Sequence, residues 1–269
     1  MNISNKRIDK GAPFDFGRTS ADYAKFRDIY PESFYKKILS LGIGKEGQQI
    51  LDVGTGTGVL PRNMRKFGAK WTGTDISENQ IEAAKKLSEE TDILNNQNKI
   101  EYFVRPTENL GFDLNSFDAI TACQCFWYFD YEKTALEFSR VLKPHGKILL
   151  LVMEWLPFES EIALASENLV LKYNPAWSGK GSVLESIKVP QPFTEFFTLK
   201  QHEEWKLPVH FTRETWNGRM KSCRGIGASL PKEKIAQWEA EHLQMLKNNA
   251  AKEFDILHYA AYALLEKKD

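Results

Sequence analysis

The stretch Ile50-Leu51-Asp52-Val53-Gly54-Thr55-Gly56-Thr57-Gly58 decides the fold. A short apolar run ends in an acid and then in three glycines at alternate positions. Val59-Leu60-Pro61-Arg62-Asn63-Met64 follows and can open a helix. The pattern reads as strand, tight turn and helix N-terminus. Glycine accepts a positive φ and puts no Cβ in the way of a ligand. Such a turn lies at the carboxyl end of a strand, where open α/β sheets bind ligands. Helix N-termini there offer N–H groups to anions.

Several readings compete for this turn. A dinucleotide fingerprint, G-x-G-x-x-G, needs a glycine where the chain has Val59. A P-loop needs a lysine after its last glycine, and none follows Gly58 in that frame. A cofactor loop of the form D-x-G-x-G-x-G is matched by Asp52, Gly54, Gly56 and Gly58. A tight turn with no ligand is the bland reading. The rest of the chain decides among them.

The chain has 269 residues, within the range of one large α/β domain or of a domain with a subdomain. Lysine plus arginine and aspartate plus glutamate both number 36, so no net field draws nucleic acid or an anionic membrane. Cys123, Cys125 and Cys223 are too few for a disulfide framework and fit a reducing cytosol. Cys123-x-Cys125 lacks metal-ligand spacing and reads as packing. The five histidines are scattered without H-E-x-x-H, so no metal is expected. Residues 1–10 lack an apolar signal core, and no apolar run is long enough to span a bilayer. The expectation is a cytoplasmic protein with no membrane partner and an oligomeric state left open.

Outward from the glycine turn, the elements alternate. Residues 1 to about 18 are polar, and the extreme end is expected to be mobile. Ser20 starts a short helix through Ile29, and Pro31 opens a second to about Leu41. Gln49–Val53 is the first strand, followed by a helix to about Phe67. Lys70–Asp75 is the second strand. Asp75 lies 21 positions after Gly54 (75 − 54), close to the ~20-residue offset at which an acid meets a ribose in nucleotide-binding α/β folds. Alternatively Asp75 belongs to the cap of the next helix, where Ser77 and Gln80 make a capping-box pattern. Ile100–Val104 and Ser116–Cys123 are the third and fourth strands. Asp130 caps a helix with Leu136, Val141 and Leu142 facing inward. Pro144-His145-Gly146 breaks it, and Lys147–Val152 is the fifth strand. Strands alternating with helices give a parallel, doubly wound sheet with right-handed crossovers.

After residue 152 the pattern changes. Residues 154–193 show no clear strand and read as an insertion over the sheet's carboxyl edge. Thr198–Leu207 alternates like a strand, Thr212 caps a helix, and Ser229 and Pro231 open a longer one. Phe254–Leu265 closes the chain. The fold expected is α/β, a Rossmann-like seven-stranded, mostly parallel sheet with an antiparallel C-terminal strand pair and a helical lid. Residues 18–152 would form the core of a single 1–269 domain, residues 154–250 the lid and substrate side, and residues 254–265 the closing strand.

Four further segments carry a resemblance. They are Phe103-Val-Arg-Pro-Thr-Glu108-Asn-Leu, Ser116-Phe-Asp118, Gln124-Cys-Phe-Trp127-Tyr-Phe-Asp130 and Arg140-Val-Leu-Lys-Pro-His-Gly146. With the glycine turn they resemble the class I S-adenosylmethionine-dependent methyltransferases, in particular the branch that includes the trans-aconitate methyltransferases. Tyr23, Arg27, Tyr30 and Pro31 are similar to that branch's Y-x-x-x-R-x-x-Y-P segment. The resemblance covers roughly residues 18–152. It implies S-adenosyl-L-methionine as cofactor, with Asp52, Gly54, Thr55, Gly56 and Gly58 in its loop. Asp75 would bind the ribose hydroxyls and Ile76 would pack on the adenine. Thr107 and Glu108 would lie at the adenine edge, and Gln124 near the methionine. His145 stands in place of a glycine, Pro106 in place of an acid, and Trp127 where the branch often has histidine.

The implied function is methyl transfer to a small-molecule acceptor, a carboxylic acid among the candidates. Tyr23, Arg27, Trp127, Tyr128, Trp155 and Trp216 are the candidate acceptor-pocket residues. Each aromatic has core packing as its plain alternative, and the arginines, Arg213 included, have surface solvation. A nicotinamide-dependent oxidoreductase and a non-catalytic S-adenosylmethionine-binding protein are the rival functions.

Overall fold

The computed structural model describes residues 3–95 and 99–269. Along the chain come α1 (Ser20–Phe26), α2 (Glu32–Ser40), β1 (Gln49–Val53), α3 (Val59–Met64), β2 (Lys70–Asp75), α4 (Glu78–Asn95), β3 (Glu101–Val104), β4 (Phe117–Cys123), α5 (Tyr131–Val141) and β5 (Leu142–Trp155). Then follow α6 (Glu161–Tyr173), α7 (Gln191–Phe196), β6 (Phe197–Thr212), α8 (Arg213–Lys221), α9 (Lys232–Asn249) and β7 (Glu253–Lys267). Among the described residues no helix is long and apolar enough to cross a membrane. Met1, Asn2 and the 96–98 segment lie outside the description.

The seven strands form one sheet in the order β3-β2-β1-β4-β5-β7-β6. β1 pairs in parallel with β2 and β4, β2 with β3, and β4 with β5. The last two strands run antiparallel to each other. Leu156 N–H donates to the Leu257 carbonyl, Arg213 N–H to that of Lys252, and Lys268 N–H to that of Phe196. The sheet is therefore mixed, mostly parallel with an antiparallel C-terminal pair. Ile50, Leu51 and Val53 are wholly buried, as expected for a central parallel strand covered on both faces. Connections leave β1 toward β2 on one side and arrive at β4 on the other, so the topological switch point lies between β1 and β4.

Several boundaries differ from the sequence reading. β5 begins at Leu142, opposite Phe117, and its register then jumps so that Ala119 faces Lys147. The chain thus bulges around Pro144-His145-Gly146, with His145 in the left-handed region at φ 59°, rather than breaking before a strand. On α5 the inward residues are Thr134, Ala135, Phe138 and Val141, while Leu136 is exposed. Asp130 does cap α5, accepting from Lys133 N–H. The insertion contains α6, capped by Ser160 accepting from Ala163 N–H. Its buried face carries Ser166 and Glu167 beside Ala163, Leu169 and Val170, so polar residues interrupt the apolar stripe by which a helix is read.

The chain forms two compact units. One comprises Tyr30–Val152, Glu185–Glu204 and Ala261–Asp269. It holds β1–β4, α2–α5, α7 and portions of β5, β6 and β7. Phe193 packs edge-on against Phe138 and Tyr131 at ring separations of 5.9 and 6.3 Å. Lys37 bridges to Glu203 at 2.9 Å.

The other unit comprises Met1–Ile29, Met153–Leu184 and Trp205–Ala260. From Ile3 onward the polar start is tied down, and the extreme end lies outside the described residues. Ile3 pairs with Phe14, and buried Asp9 accepts from Arg224 Nε at 2.7 Å and Ser178 N–H at 2.7 Å. The core of this unit is an aromatic and polar network. Trp216 meets Trp155 and Phe211 edge-on at 5.7 and 5.0 Å, and its indole N–H donates to Ser166. His242 lies 2.8 Å from Asn217 Oδ1 and 2.9 Å from Ser166 Oγ. Burial pushes its pKa down to about 3, so it is a neutral structural imidazole at physiological pH.

Candidate functional site

The carboxyl ends of β1, β2 and β4 meet at the glycine turn. Gly54, Gly56 and Gly58 all adopt positive φ, at 59°, 56° and 74°. Two of them are required by the protein's own packing. A Cβ on Gly54 would lie 2.8 Å from Cys125 Sγ, and one on Gly58 would enter the ring of Tyr102. Thr55 N–H donates to the Thr74 carbonyl and Gly58 N–H to that of Thr55, which closes the turn before α3 begins at Val59.

Two carboxylates fix the turn from either side. Asp52 is buried, and its oxygens accept from the hydroxyls of Thr55 and Thr121, each at 2.6 Å. Burial pushes its pKa up to about 7, opposed by the two threonine hydrogen bonds and reinforced by the like charge of Asp75. Asp75 ends β2. One oxygen accepts from Gly56 N–H at 3.0 Å and the other from Ser77 N–H at 2.9 Å. Burial raises its pKa as well, against the lowering effect of the Ser77, Gly56 and Ile76 N–H groups. A carboxylate has about four acceptor sites. These two N–H groups orient Asp75 while leaving it acceptor capacity for a diol.

The remaining cofactor candidates surround this corner. Ile76 follows Asp75 and is half-buried. After β3, the buried Thr107 hydroxyl lies 3.3 Å from that of Thr134, and a Glu108 carboxylate oxygen accepts from Asp130 N–H. After β4, Gln124 takes a left-handed φ of 62°, and its N–H donates to the Leu151 carbonyl. Cys125 then turns inward and its thiol donates to the Val53 carbonyl, so it is packed beneath the loop.

The acceptor-pocket candidates divide between the units. Trp127 and Tyr128 lie half-buried on a single turn after Gln124, rings 5.6 Å apart. Tyr23 and Arg27 are in the other unit, the guanidinium 4.5 Å above the phenol ring. Trp155 and Trp216 are also there and are buried. Trp155 N–H donates to Glu167 and Trp216 N–H to Ser166. Arg213 donates to the Ala250 and Ala251 carbonyls at the end of α9, so it holds a helix terminus.

Sequence reasoning missed Thr121 on β4 and Tyr102 on β3, which shape the turn. Cys125, read as packing, does pack against it just after β4.

The comparisons with known proteins fall on the same region. Residues 51–150 match the family described as a methyltransferase domain. Among curated relatives, a ubiquinone biosynthesis O-methyltransferase of Coxiella burnetii is 33% identical over 154 residues, 55% of this chain and 64% of that protein. One of Xanthomonas oryzae pv. oryzae is 27% identical over 132 residues, 48% of this chain and 53% of that protein. The chain therefore spans under two thirds of the length of these relatives.

Among solved structures, a phosphoethanolamine N-methyltransferase 2 of Haemonchus contortus was determined with phosphomonomethylethanolamine and S-adenosylhomocysteine. It matches with a TM-score of 0.54 and 19% identity, over 93% of this chain and 58% of that one. The [4+2]-cyclase SpnF matches with a TM-score of 0.51 and 17% identity, over 87% and 80% of the two chains. Likeness at this level shows the fold. A cyclase on the same fold is a reminder that activity must be argued from the site.

Proposed function

We propose that this protein transfers the methyl group of S-adenosylmethionine to an oxygen nucleophile of a small molecule. The observation that carries the reading is Asp75. It stands at the end of β2, oriented by Gly56 and Ser77 N–H groups, across from a turn of three positive-φ glycines.

The residues present fit the cofactor. Asp75 would accept from the ribose hydroxyls and Ile76 would lie along the adenine. Thr107 and Glu108 would border its edge, while Gly54, Gly56 and Gly58 with Gln124 would border the methionine. Asp52 is 2% exposed and held by two threonine hydroxyls, so its part is to hold the turn, whereas Asp75 is only half-buried. Bound cofactor supplies a methyl already activated by a sulfonium charge. The protein's task is then alignment and exclusion of water. No base is needed for an acceptor that is ionised at neutral pH.

The acceptor class draws on two supports. The sequence relatives are named as O-methyltransferases, which favours oxygen. The segments at 23–31, 124–130 and 140–146 resemble the trans-aconitate branch, which favours a carboxylic acid. A nicotinamide enzyme is disfavoured because Val59 is the first residue of α3 and is buried, where the dinucleotide turn needs glycine.

The test is release of S-adenosylhomocysteine from S-adenosylmethionine against a panel of small carboxylic acids, phenols and amines. Turnover with a carboxylic acid supports the full reading, and turnover with phenols alone retains the oxygen acceptor. Tight cofactor binding with no turnover on any acceptor would favour the non-catalytic alternative.

A further inference from the structure

We infer that Tyr30 contacts the reacting end of the cofactor, its phenol oxygen favouring a sulfonium over a thioether. This rests on the S-adenosylmethionine reading above.

Tyr30 precedes Pro31, which steers the residue before it away from helical backbone. The chain therefore enters α2 extended, and the Tyr30 ring is held from two sides. It stacks on Phe34 at 4.7 Å and 15° and meets Tyr35 edge-on at 6.2 Å. Phe34 and Tyr35 are themselves buried, so the direction of the phenol is fixed by packing.

That direction leads to the switch point of the sheet. The Cys123 thiol donates to the Tyr30 hydroxyl oxygen at 3.4 Å, and Cys123 is the last residue of β4. Val53 pairs with Ala122 across β1 and β4. The next residues, Gly54 and Cys123, therefore stand side by side where β1 enters the glycine turn. Gln124, with its left-handed backbone, follows immediately. The Tyr30 oxygen thus lies where an open α/β sheet binds its ligand.

Its chemistry suits a cation. Asp52 and Asp75 stand near this corner and both act on the neighbouring Cys125, while Arg62 and Arg65 act on Tyr102 across the glycine turn. Acids on this side disfavour an anion and favour a positive centre. The phenol and the thiol are neutral groups with lone pairs. An oxygen lone pair attracts the electron-poor hydrogens of a methyl on sulfonium sulfur, a weak C–H···O contact. The thioether product has no such methyl and no such charge.

The experiment is calorimetric titration of wild type and Tyr30→Phe with S-adenosylmethionine and with S-adenosylhomocysteine. The phenylalanine variant should lose roughly two- to five-fold in affinity for the sulfonium, the scale of one such contact, with affinity for the thioether and the melting temperature unchanged. Equal losses for both ligands would place the hydroxyl on the shared methionine amine or carboxylate and overturn the inference. No change for either ligand would overturn it too. If Tyr30→Phe does not fold, Cys123→Ala takes its place. It should shift the same affinity ratio in the same direction, and an unchanged ratio overturns the inference. Wild type that binds neither ligand would remove the cofactor reading itself.

Discussion

Asp75 and Asp52 show what a single residue in this turn does. The distance in sequence from Gly54 to Asp75 was readable, because one strand–helix–strand unit fixes it. The environment of Asp52 was not. Its partner Thr121 lies on β4, and only the β1–β4 register brings the two together. Asp75→Ala is expected to weaken S-adenosylmethionine binding roughly ten- to a hundred-fold. That is the scale of losing hydrogen bonds to a charged group, about 1.5–3 kcal/mol. Circular dichroism should show the variant folded, and unchanged affinity would remove Asp75 from the site.

Asp52 has a pH signature with a defined sign. Its folded pKa, about 7, lies above the ordinary value of 3.8. Between those values the folded state holds more proton than the unfolded state, so this group's contribution to stability falls as pH rises and levels off above about 7. Asp52→Asn lacks that titration. In denaturant unfolding, the variant's stability relative to wild type should rise from pH 4 to 7 and then stay constant. A difference independent of pH would mean that Asp52 is ionised throughout.

At the scale of the element, the glycine turn was legible because its chemistry is local. Three glycines in a row of seven residues admit few backbone paths. The strands were legible for a similar reason, as each apolar run matched one. α6 was obscured because its buried face includes Ser166 and Glu167, which satisfy a polar network. The start of β5 was misplaced because proline and glycine mark a bulge there as readily as an end. Gly56→Val tests the turn. A β-branched residue at φ 56° carries a left-handed strain of about 1–2 kcal/mol or more. For a chain of this size that corresponds to a melting temperature lowered by a few degrees. The same change should abolish detectable cofactor binding. Near-normal binding by this variant would show that the turn is not the cofactor loop.

For the whole molecule, strand direction followed from the alternation of elements and from the two late strands, while strand order came only from the structure. The division into two units was not visible, because the unit holding α1, α6, α8 and α9 is assembled from three separated segments of chain. No local pattern announces that Asp9 will be held by Arg224, 215 residues away. The meeting of the glycine turn with Asp75, the proposed cofactor side, was therefore legible from short-range motifs. The acceptor side was not, and Trp155 and Trp216 prove to be buried, with their indole N–H groups committed to Glu167 and Ser166. The central claim is that the turn from Asp52 to Gly58, with Asp75, is an S-adenosylmethionine site. Its most direct test is calorimetric titration of the wild-type protein with S-adenosylmethionine and, separately, with NAD. Saturable one-to-one binding of S-adenosylmethionine and none of NAD is the expected result. A folded protein that binds NAD, or neither ligand, would contradict it.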